Sequence, residues 1–245
     1  MEGKRIMAIL SVKGMSKSFG ALKVADDVSF ALAEGEALGI IGPNGAGKST
    51  LFNLITGNLR PDGGQVMLGD RDVTRESPMQ RCISGIGRSF QIPQPFDHLS
   101  VYENLLVAAR FGGAVGASEA PGLCMSILAR TGLEQLALHK AGALPLLSRK
   151  RLELARALAT RPRVILLDEI AGGLTDGECA ELVTTIRAIH AEGTAILWIE
   201  HVLHALNAVV SRLMVLNFGR MLMIGDPEEV MAAPEVREVY LGIEA

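Results

Sequence analysis

One stretch decides the fold of this chain, Gly42-Pro43-Asn44-Gly45-Ala46-Gly47-Lys48-Ser49-Thr50, because it matches the pattern G-x-x-x-x-G-K-[ST] in full. An apolar run, Ala37–Ile41, comes before it and predicts a buried strand, and Leu51–Ile55 follows as the continuation of a helix. Glycines in such a loop let successive backbone N–H groups turn inward around a polyphosphate, and the helix start adds its positive dipole end. The sequence therefore predicts a strand, a phosphate-binding loop and a helix, in that order.

Two side chains of this loop indicate what the ligand carries. Lys48 supplies a positive charge for the β- and γ-phosphates of a nucleotide, and Ser49 offers its hydroxyl oxygen to Mg²⁺. The alternative is a glycine-rich turn that binds nothing, but the strand before the loop and the helix after it favour the phosphate site. All residues from Gly42 to Thr50 are therefore expected to belong to the nucleotide site.

The composition is that of a globular chain. Its 245 residues are 49% hydrophobic and 21% charged, which suits one large domain or a core with a subdomain. The formal net charge of −3 gives no reason to expect a nucleic-acid partner. The cysteines form no C-x-x-C pair and no ligand spacing with the histidines, so we expect buried thiols in a reducing compartment at Cys82, Cys124 and Cys179.

Hydropathy gives no sign of a membrane span in this sequence. No apolar stretch reaches the ~20 residues that a crossing helix needs. The apolar run within residues 4–10 is too short for a signal peptide and is soon interrupted by Lys13, so it predicts a first strand instead. We expect a cytosolic protein that meets a membrane only through a partner.

The order of local patterns predicts an α/β fold. Residues 1–91 carry short β patterns, residues 92–150 favour helices, and helix and strand alternate from residue 151 onward. Such alternation is typical of a mostly parallel sheet with helices on both faces. The predicted elements are strands at 28–32, 37–41, 65–68, 164–167 and 194–199, a helix opened by a capping box at Ser100, helices at 152–159 and 178–191, and a loop at 112–122.

Two carboxylates follow one of the predicted strands. The run Val164–Leu167 is apolar, and Asp168 and Glu169 come directly after it. At the carboxyl edge of a parallel sheet such groups face the ligand crevice. Asp168 could then hold Mg²⁺ through water, and Glu169 could polarise an attacking water as a general base. A solvated strand end is the alternative, which the phosphate-binding loop disfavours.

Three further side chains are candidates for the same site. His201 follows the strand at 194–199 and could sense a γ-phosphate. Gln91 closes a strand where the helical segment begins, and its amide could contact the metal or the attacking water. Phe19 precedes the phosphate-binding loop and could stack on adenine, although a core position is the alternative for this ring.

The order of these motifs resembles the nucleotide-binding subunit of ABC transporters, over essentially the whole chain. Phe19 matches that family's adenine-stacking aromatic residue, and Gln91 matches the glutamine of its Q-loop. Asp168 and Glu169 match its Walker B pair, and His201 matches its switch histidine.

The resemblance implies a fold and a reaction. The fold is a P-loop NTPase core of the ABC type with an antiparallel β subdomain and a small α-helical subdomain. A single domain, 1–245, would then divide into a catalytic core of residues 1–91 and 151–245 and a helical subdomain of residues 92–150. The reaction is hydrolysis of ATP with Mg²⁺. The implied catalytic residues are Glu169, His201 and Gln91, and the implied metal-site residues are Ser49, Gln91 and Asp168.

A narrower resemblance points to the importers of branched-chain, or hydrophobic, amino acids. It is carried by Gly87-Arg88-Ser89-Phe90-Gln91, by Ile199-Glu200-His201, and by the tail segments Gly225–Val230 and Val239–Gly242. It implies a paralogous ATPase subunit and two membrane permease subunits as partners, a periplasmic binding protein as an indirect one, and a peripheral place at the cytoplasmic face of the inner membrane. The ATPase of lipopolysaccharide export has a similar tail but differs around the Q-loop, so it ranks second.

One motif departs from the family pattern. The signature Leu-Ser-Gly-Gly-Gln falls on Leu144-Pro145-Leu146-Leu147-Ser148, which keeps only the leucine. In the family this segment completes the partner subunit's ATP site, but Pro145 has no N–H to offer. Nearby, Ile170 replaces the usual proline, and Thr175 stands where Asp or Asn is usual. We therefore hypothesise an asymmetric heterodimer, with a homodimer and a hydrolysis-poor regulatory subunit as alternatives.

The segment after Gln91 is a candidate contact for a permease. Residues 92–105 begin with Ile92-Pro93-Gln94-Pro95-Phe96, which combines apolar residues with prolines. A groove there could accept a short permease helix. A small satellite core under a loop is an equally weighted alternative.

Overall fold

The computed structural model describes residues 8–241, in which strands and helices alternate along much of the chain. The strands are β1 (Ala8–Phe19), β2 (Leu22–Ala33), β3 (Ala37–Ile41), β4 (Gly63–Leu68), β5 (Arg71–Asp72), β6 (Ile86–Arg88), β7 (Val164–Asp168), β8 (Ala195–Ile199), β9 (Arg212–Asn217) and β10 (Arg220–Gly225). The helices are α1 (Lys48–Thr56), α2 (Pro78–Ser84), α3 (Val101–Val107), α4 (Ala120–Arg130), α5 (Leu146–Ala159), α6 (Asp176–Ala191), α7 (Leu203–Asn207), α8 (Pro227–Ala232) and α9 (Pro234–Leu241). A π-helical turn, Ala108–Gly112, continues α3.

A six-stranded sheet in the order β10-β9-β3-β8-β7-β6 forms the centre of the fold. The pairs β9–β3, β3–β8, β8–β7 and β7–β6 are parallel, and β10 runs antiparallel to β9. The carboxyl ends of the parallel strands therefore lie along one edge. Because β3, β7 and β8 are buried on both faces, each reads as a continuous apolar run.

A second sheet, in the order β2-β1-β4-β5, is antiparallel at every pairing. It packs on one face of the central sheet together with α1, and the core between them includes Leu38, Leu166 and Phe52. The other face of the central sheet packs on α3 to α7, with Ile165, Trp198 and their neighbours in that core. Alternate residues of one strand thus serve two cores, as the two-residue period of a strand requires.

The structure confirms the predicted α/β class and most of the predicted strands. The strand at 37–41 has the bounds of β3, and those at 28–32, 65–68 and 164–167 lie within β2, β4 and β7. The strand at 194–199 begins one residue later, at Ala195. The capping box at Ser100 opens α3, where the side chains of Ser100 and Glu103 bond each other's backbone N–H. Of the first-strand segment, residues 4–7 lie outside the described residues and residues 8–10 belong to β1.

Three helix boundaries were wrongly predicted. The loop at 112–122 ends early because α4 begins at Ala120, with Pro121 in its first turn, where proline has no partner to lose. Helix α5 begins at Leu146 and not at residue 152, because Pro145 precedes the first turn instead of breaking it. Helix α6 begins at Asp176 and not at residue 178, because Thr175 caps it through its side-chain oxygen.

The hydropathy of the sequence predicts no helix that crosses a membrane. Within residues 8–241, no helix combines the length and the apolar character that a membrane crossing requires.

A buried arginine closes the helix that follows the phosphate-binding loop. Arg81, on α2, is 1% exposed, and its guanidinium group donates to the carbonyl oxygens of Leu54 and Ile55 in the last turn of α1. It also donates to the carbonyl oxygens of Thr74 and Glu76. The last carbonyl groups of a helix have no partner within the helix, so this side chain satisfies them and fixes the far end of α1.

We predict that Arg81→Met destabilises the protein because it leaves several buried carbonyl oxygens without a donor. The expected loss is about 3 kcal/mol in the free energy of unfolding, measured by urea denaturation. Arg187→Met removes an arginine from the exposed face of α6 and is the matched control, with an expected change below about 0.5 kcal/mol. Equal stability of Arg81→Met and the control would contradict this role.

Candidate functional site

The candidate site lies at the carboxyl edge of the central sheet. The phosphate-binding loop follows β3, Asp168 ends β7, and Gln91 comes three residues after β6. His201 comes two residues after β8. Since β7 lies between β6 and β8, and β3 lies beside β8, parallel pairing alone brings these segments of the chain together.

The phosphate-binding loop is held by close backbone contacts on two sides. A Cβ atom on Gly42 would come within 2.2 Å of the Leu216 carbonyl oxygen, at the end of β9. A Cβ atom on Gly47, where φ is +100°, would come within 2.4 Å of the Val24 carbonyl oxygen on β2. These positions require glycine both for space and, at Gly47, for conformation. The loop therefore keeps a conformation that a residue with a side chain could not adopt at Gly42 or Gly47 without displacing it.

Lys48 fills part of the loop with its own side chain. Its Nζ atom donates to the carbonyl oxygens of Gly42 at 2.7 Å and Pro43 at 3.1 Å. Burial lowers the pKa of Lys48, and the nearby carboxylates of Glu169 and Asp168 oppose that change. An ammonium group held this way can exchange the two carbonyl oxygens for the oxygens of a phosphate group.

Asp168 is paired with an arginine. Its Oδ2 atom accepts a hydrogen bond of 2.6 Å from Nη2 of Arg88, and both side chains are almost fully buried. Nη1 of the same guanidinium group donates to Oδ1 of Asn53, on α1, also at 2.6 Å. The carboxylate therefore lies beside the helix that starts at Lys48, which is where a metal ion on a bound nucleotide would be expected.

Glu169, Gln91 and His201 come together as the sequence predicts. Nε2 of Gln91 donates to Oε2 of Glu169 at 2.5 Å, and Nδ1 of His201 lies 4.0 Å from the same oxygen. Glu169 has a φ of +44°, a left-handed conformation that is uncommon outside glycine. Its backbone N–H donates to the Ile199 carbonyl oxygen, which fixes this turn against the end of β8.

A buried glutamate links two of these loops. Glu200 is 1% exposed, and its carboxylate accepts hydrogen bonds from the backbone N–H groups of Ala171, His201 and Val202. It thus connects the segment after Glu169 to the segment that carries the histidine. The three donors stabilise a charge that would otherwise be costly to bury.

A buried lysine connects helix α5 to the same place. Nζ of Lys150 donates to the Gln91 carbonyl oxygen at 2.6 Å and lies 3.5 Å from that of Glu169. Burial lowers the pKa of Lys150, whereas the surrounding carboxylates, of which Glu200 has the largest effect, act to raise it. Helix α5, whose start is the segment predicted to serve a partner, is therefore held to the residues predicted to serve this chain's own nucleotide.

Phe19 lies outside the core, so the alternative of a core aromatic is wrong. Its side chain is exposed by 53%, at the end of β1, and the Lys17 ammonium group lies 5.6 Å from the ring centre. The ring is accessible for stacking, and its role as an adenine partner stays a prediction.

The altered signature segment forms the start of α5. Pro145 precedes the first turn, which has no side-chain cap. Leu144 is buried, whereas Leu146 is exposed. Arg149 donates to the Leu144 carbonyl oxygen, so this segment has its own internal support. The helix start presents a leucine at the position where the family pattern has a small residue.

Four residues of the site were missed at the sequence level. The hydrogen bonds from Arg88 to Asp168 and to Asn53, and the contacts of Lys150 and Glu200, join parts of the chain that only the fold brings together. Thr175 is different, because Thr175 and Glu178 form the capping pattern [ST]-x-x-[DE], which the sequence itself displays.

A cavity of about 250 Å³ lies next to Arg88, between the central sheet and the helical segment. Its lining includes Arg88, Phe90, Cys82, Glu153 and Arg156.

Residues 92–105 were predicted to form either a permease contact or a small core under a loop, and each alternative fits one part of the segment. Ile92 and Phe96 are exposed, as a contact surface requires. Val101 and Leu105 belong to the core.

We predict that Gly47→Ala weakens ATP binding by about 100-fold, because the added methyl group must displace the loop from β2 at a cost near the upper end for overpacking. Binding would be measured by calorimetric titration. Gly193→Ala is the control: φ there is +94°, and a Cβ atom would meet nothing within 4 Å, far from the loop along β8. Its affinity for ATP should equal that of the wild type, and a similar loss in both variants would contradict the argument.

Comparisons with known proteins agree with this geometry. Residues 25–172 match the model of the ABC transporter family. Over 249 residues the chain is 36% identical to the high-affinity branched-chain amino acid transport ATP-binding protein LivG of Escherichia coli, with 96% of this chain and 98% of the relative covered. It is 35% identical over 234 residues to the lipopolysaccharide export system ATP-binding protein LptB of Acidithiobacillus ferridurans, with 96% and 97% covered.

Solved structures are similar over the same length. A nucleotide-free ATP-binding cassette from an ABC transporter superposes with a TM-score of 0.87 at 32% identity, covering 97% of this chain and all of that one. A cassette in its ADP conformation gives 0.86 at 33% identity, with the same coverage. The chain therefore belongs to the ABC transporter family, as one of its ATP-binding cassettes.

Proposed function

We propose that this ATPase is the subunit that powers an importer of branched-chain or other hydrophobic amino acids. The observation that carries the proposed mechanism is the meeting of Gln91, Glu169 and His201 at the edge where the phosphate-binding loop begins. A carboxylate, an amide and an imidazole in contact there suit the activation of water beside a γ-phosphate.

Each of these residues has a distinct role in the proposed reaction. Glu169 accepts the proton of the attacking water as the general base, and the Gln91 amide orients that carboxylate. His201 lies against the same carboxylate and contacts the γ-phosphate. Lys48 leaves the Gly42 and Pro43 carbonyl oxygens and binds the phosphates, while Phe19 stacks on the adenine ring.

The oxygen atoms of the site suit Mg²⁺. Ser49, Asp168 and Gln91 offer a hydroxyl, a carboxylate and an amide oxygen, and Mg²⁺ prefers such oxygen ligands, few in number, together with nucleotide phosphates. When bound, the ion would neutralise charge on the β- and γ-phosphates. Asp168 supports this assignment because it ends β7 beside α1 and is held there by Arg88.

The substrate class is proposed from the relatives. LivG proteins, which the chain matches over almost its full length, are named for branched-chain amino acid transport. The proposed partners are a paralogous ATPase subunit and two permease subunits, with a binding protein acting through the permeases. The proposed location is peripheral, at the cytoplasmic face of the inner membrane. Lipopolysaccharide export is the second candidate function, and it is kept because the chain is 35% identical to LptB.

The start of α5 supports an asymmetric heterodimer. A signature segment must bring backbone N–H groups close to the partner's nucleotide. Here Pro145 supplies none, and Leu146 projects from the first turn. In the proposed dimer, this chain's phosphate-binding loop and a partner's signature form the site that hydrolyses ATP, whereas the site completed by residues 144–148 mainly binds it.

We expect the purified chain to show little ATPase activity alone and clear activity when mixed with its paralogous subunit. Glu169→Gln should lower the activity of the mixture by at least about 100-fold, since a general base contributes that much or more. Steady-state phosphate release measures both, and calorimetry should show ATP still bound to the variant.

Two outcomes would contradict this proposal. Strong activity of the chain alone would mean that residues 144–148 act as a working signature and that the asymmetry is wrong. Activity of the mixture that does not depend on Glu169 but is lost when the partner's equivalent glutamate is changed would reverse the assignment of the two sites.

The cavity beside Arg88 is the proposed binding site for a segment of a permease subunit. Phe90 and Arg156 line it, and the Arg156 guanidinium group lies 5.4 Å from the ring centre of Phe96. Both rings are about half exposed. Apolar rings beside the Arg156 guanidinium group suit a short amphipathic helix that carries a carboxylate.

We predict that Phe96→Lys lowers transport by about tenfold, because it removes an apolar contact and places a second cation beside Arg156. Substrate uptake into proteoliposomes measures transport, and ATP affinity of the free subunit should stay unchanged. Phe96 borders this cavity through its contact with Arg156. Leu138→Lys is the matched control, because Leu138 is also exposed but lines a different cavity, beside Tyr102 and His139. Equal uptake by both variants would argue against the cavity as the permease contact.

A further inference from the structure

Arg88 binds two separate elements of the fold through one side chain. Its two terminal nitrogens donate to Asp168 and Asn53 at 2.6 Å each, so one rigid group joins β7 to α1. Only the planar fork of arginine can make two such bonds in fixed directions, whereas a lysine has one nitrogen to offer. The arrangement sets the orientation of the Asp168 carboxylate and occupies its Oδ2 atom.

Two aromatic rings hold the guanidinium group in place. Its central carbon lies 5.6 Å from the ring centre of Phe52 and 5.0 Å from that of Phe90. Phe52 is fully buried in the core beneath α1, whereas Phe90 is about half exposed. Such cation–π contacts favour a flat, fixed guanidinium group, and each contributes most where water is excluded.

The same side chain borders the cavity proposed for the permease. Arg88 and Phe90 both line it, and the Arg88 guanidinium group also donates to Asp168, which is not a lining residue. Two side chains, Phe90 and Arg88, therefore connect the cavity to the carboxylate of Asp168. Pressure on Phe90 from a bound segment would act on the group that orients Asp168.

We infer that Arg88 is a positioning residue for the metal-binding carboxylate and that it connects the permease cavity to the metal site. This inference rests on the proposed function, since it takes Asp168 as part of the Mg²⁺ site. Residues that orient a metal-binding group typically change metal affinity by 10- to 100-fold when they are lost.

The test measures how ADP affinity of the full chain depends on the concentration of free Mg²⁺. Arg88→Met and Arg88→Lys should both raise the Mg²⁺ concentration needed for half of the gain in affinity, by about tenfold. ADP affinity in the presence of a chelator should stay unchanged, because the hydrogen bonds of Arg88 go to Asn53 and Asp168, which both lie outside the phosphate-binding loop. Arg163→Met removes an equally charged but half-exposed residue at the other end of β7, so it serves as the control.

Two milder variants keep the test informative if Arg88→Met fails to fold. Asn53→Ala removes one of the two hydrogen bonds to the guanidinium group and should shift the Mg²⁺ requirement in the same direction by a smaller factor. Phe90→Ala removes the ring on the cavity side and should shift it by about threefold, the value of one cation–π contact. No shift in Phe90→Ala would overturn the connection to the cavity.

Asp168→Asn separates the two ways in which this inference can fail. If Asp168→Asn raises the Mg²⁺ requirement and folded Arg88→Lys does not, the positioning role of Arg88 is wrong. If neither substitution changes the requirement, Asp168 is not part of the metal site, and the proposed function itself needs revision. A shift in Arg88→Met alone would mean that the charge matters and the fork does not, which also overturns the inference.

Discussion

The whole site depends on how closely the phosphate-binding loop approaches its neighbours. Gly42 lies against the carbonyl group of Leu216, and Gly47 lies against that of Val24, so both sheets hold the loop from outside. The N–H group of Gly219 also donates to the Ala46 carbonyl oxygen. A loop fixed on two sides gives the other groups a constant reference point. The antiparallel sheet therefore contributes to the site through the backbone of β2.

Charge compensation is the second constraint. Lys48 is balanced by backbone carbonyl oxygens, Asp168 by Arg88, and Glu169 by the amide of Gln91. Each buried or half-buried charge thus has a partner inside the protein before any ligand arrives, as the cost of burying an isolated charge requires. When a nucleotide binds, these side chains exchange protein partners for phosphate oxygens or a metal ion. Such an exchange costs less free energy than the burial of an ion that has no partner.

The sequence was sufficient for the parts of this fold that depend on local pattern and chain direction. The apolar run before the phosphate-binding loop has the bounds of β3, and parallel strands place Asp168 and His201 at one edge. The ion pair between Arg88 and Asp168 could not be predicted from the sequence. The two residues are 80 positions apart, and they meet only because β6 lies beside β7. The early start of α5 was missed because residues 144–148 were compared only with the family signature, whereas Pro145 is well tolerated before a first turn.

The carboxylate of Glu200 has a consequence for how the two catalytic loops can move. One buried anion holds the N–H group of Ala171 on one side and those of His201 and Val202 on the other. If either loop were to shift by more than a hydrogen-bond length, it would leave the anion short of donors in a place that water does not reach. The loop that leads into α6 and the loop that carries the histidine therefore behave as one mechanical unit. A displacement of the loop that leads into α6, caused by a contact with a second subunit, would therefore move His201 even without a change in the bound nucleotide.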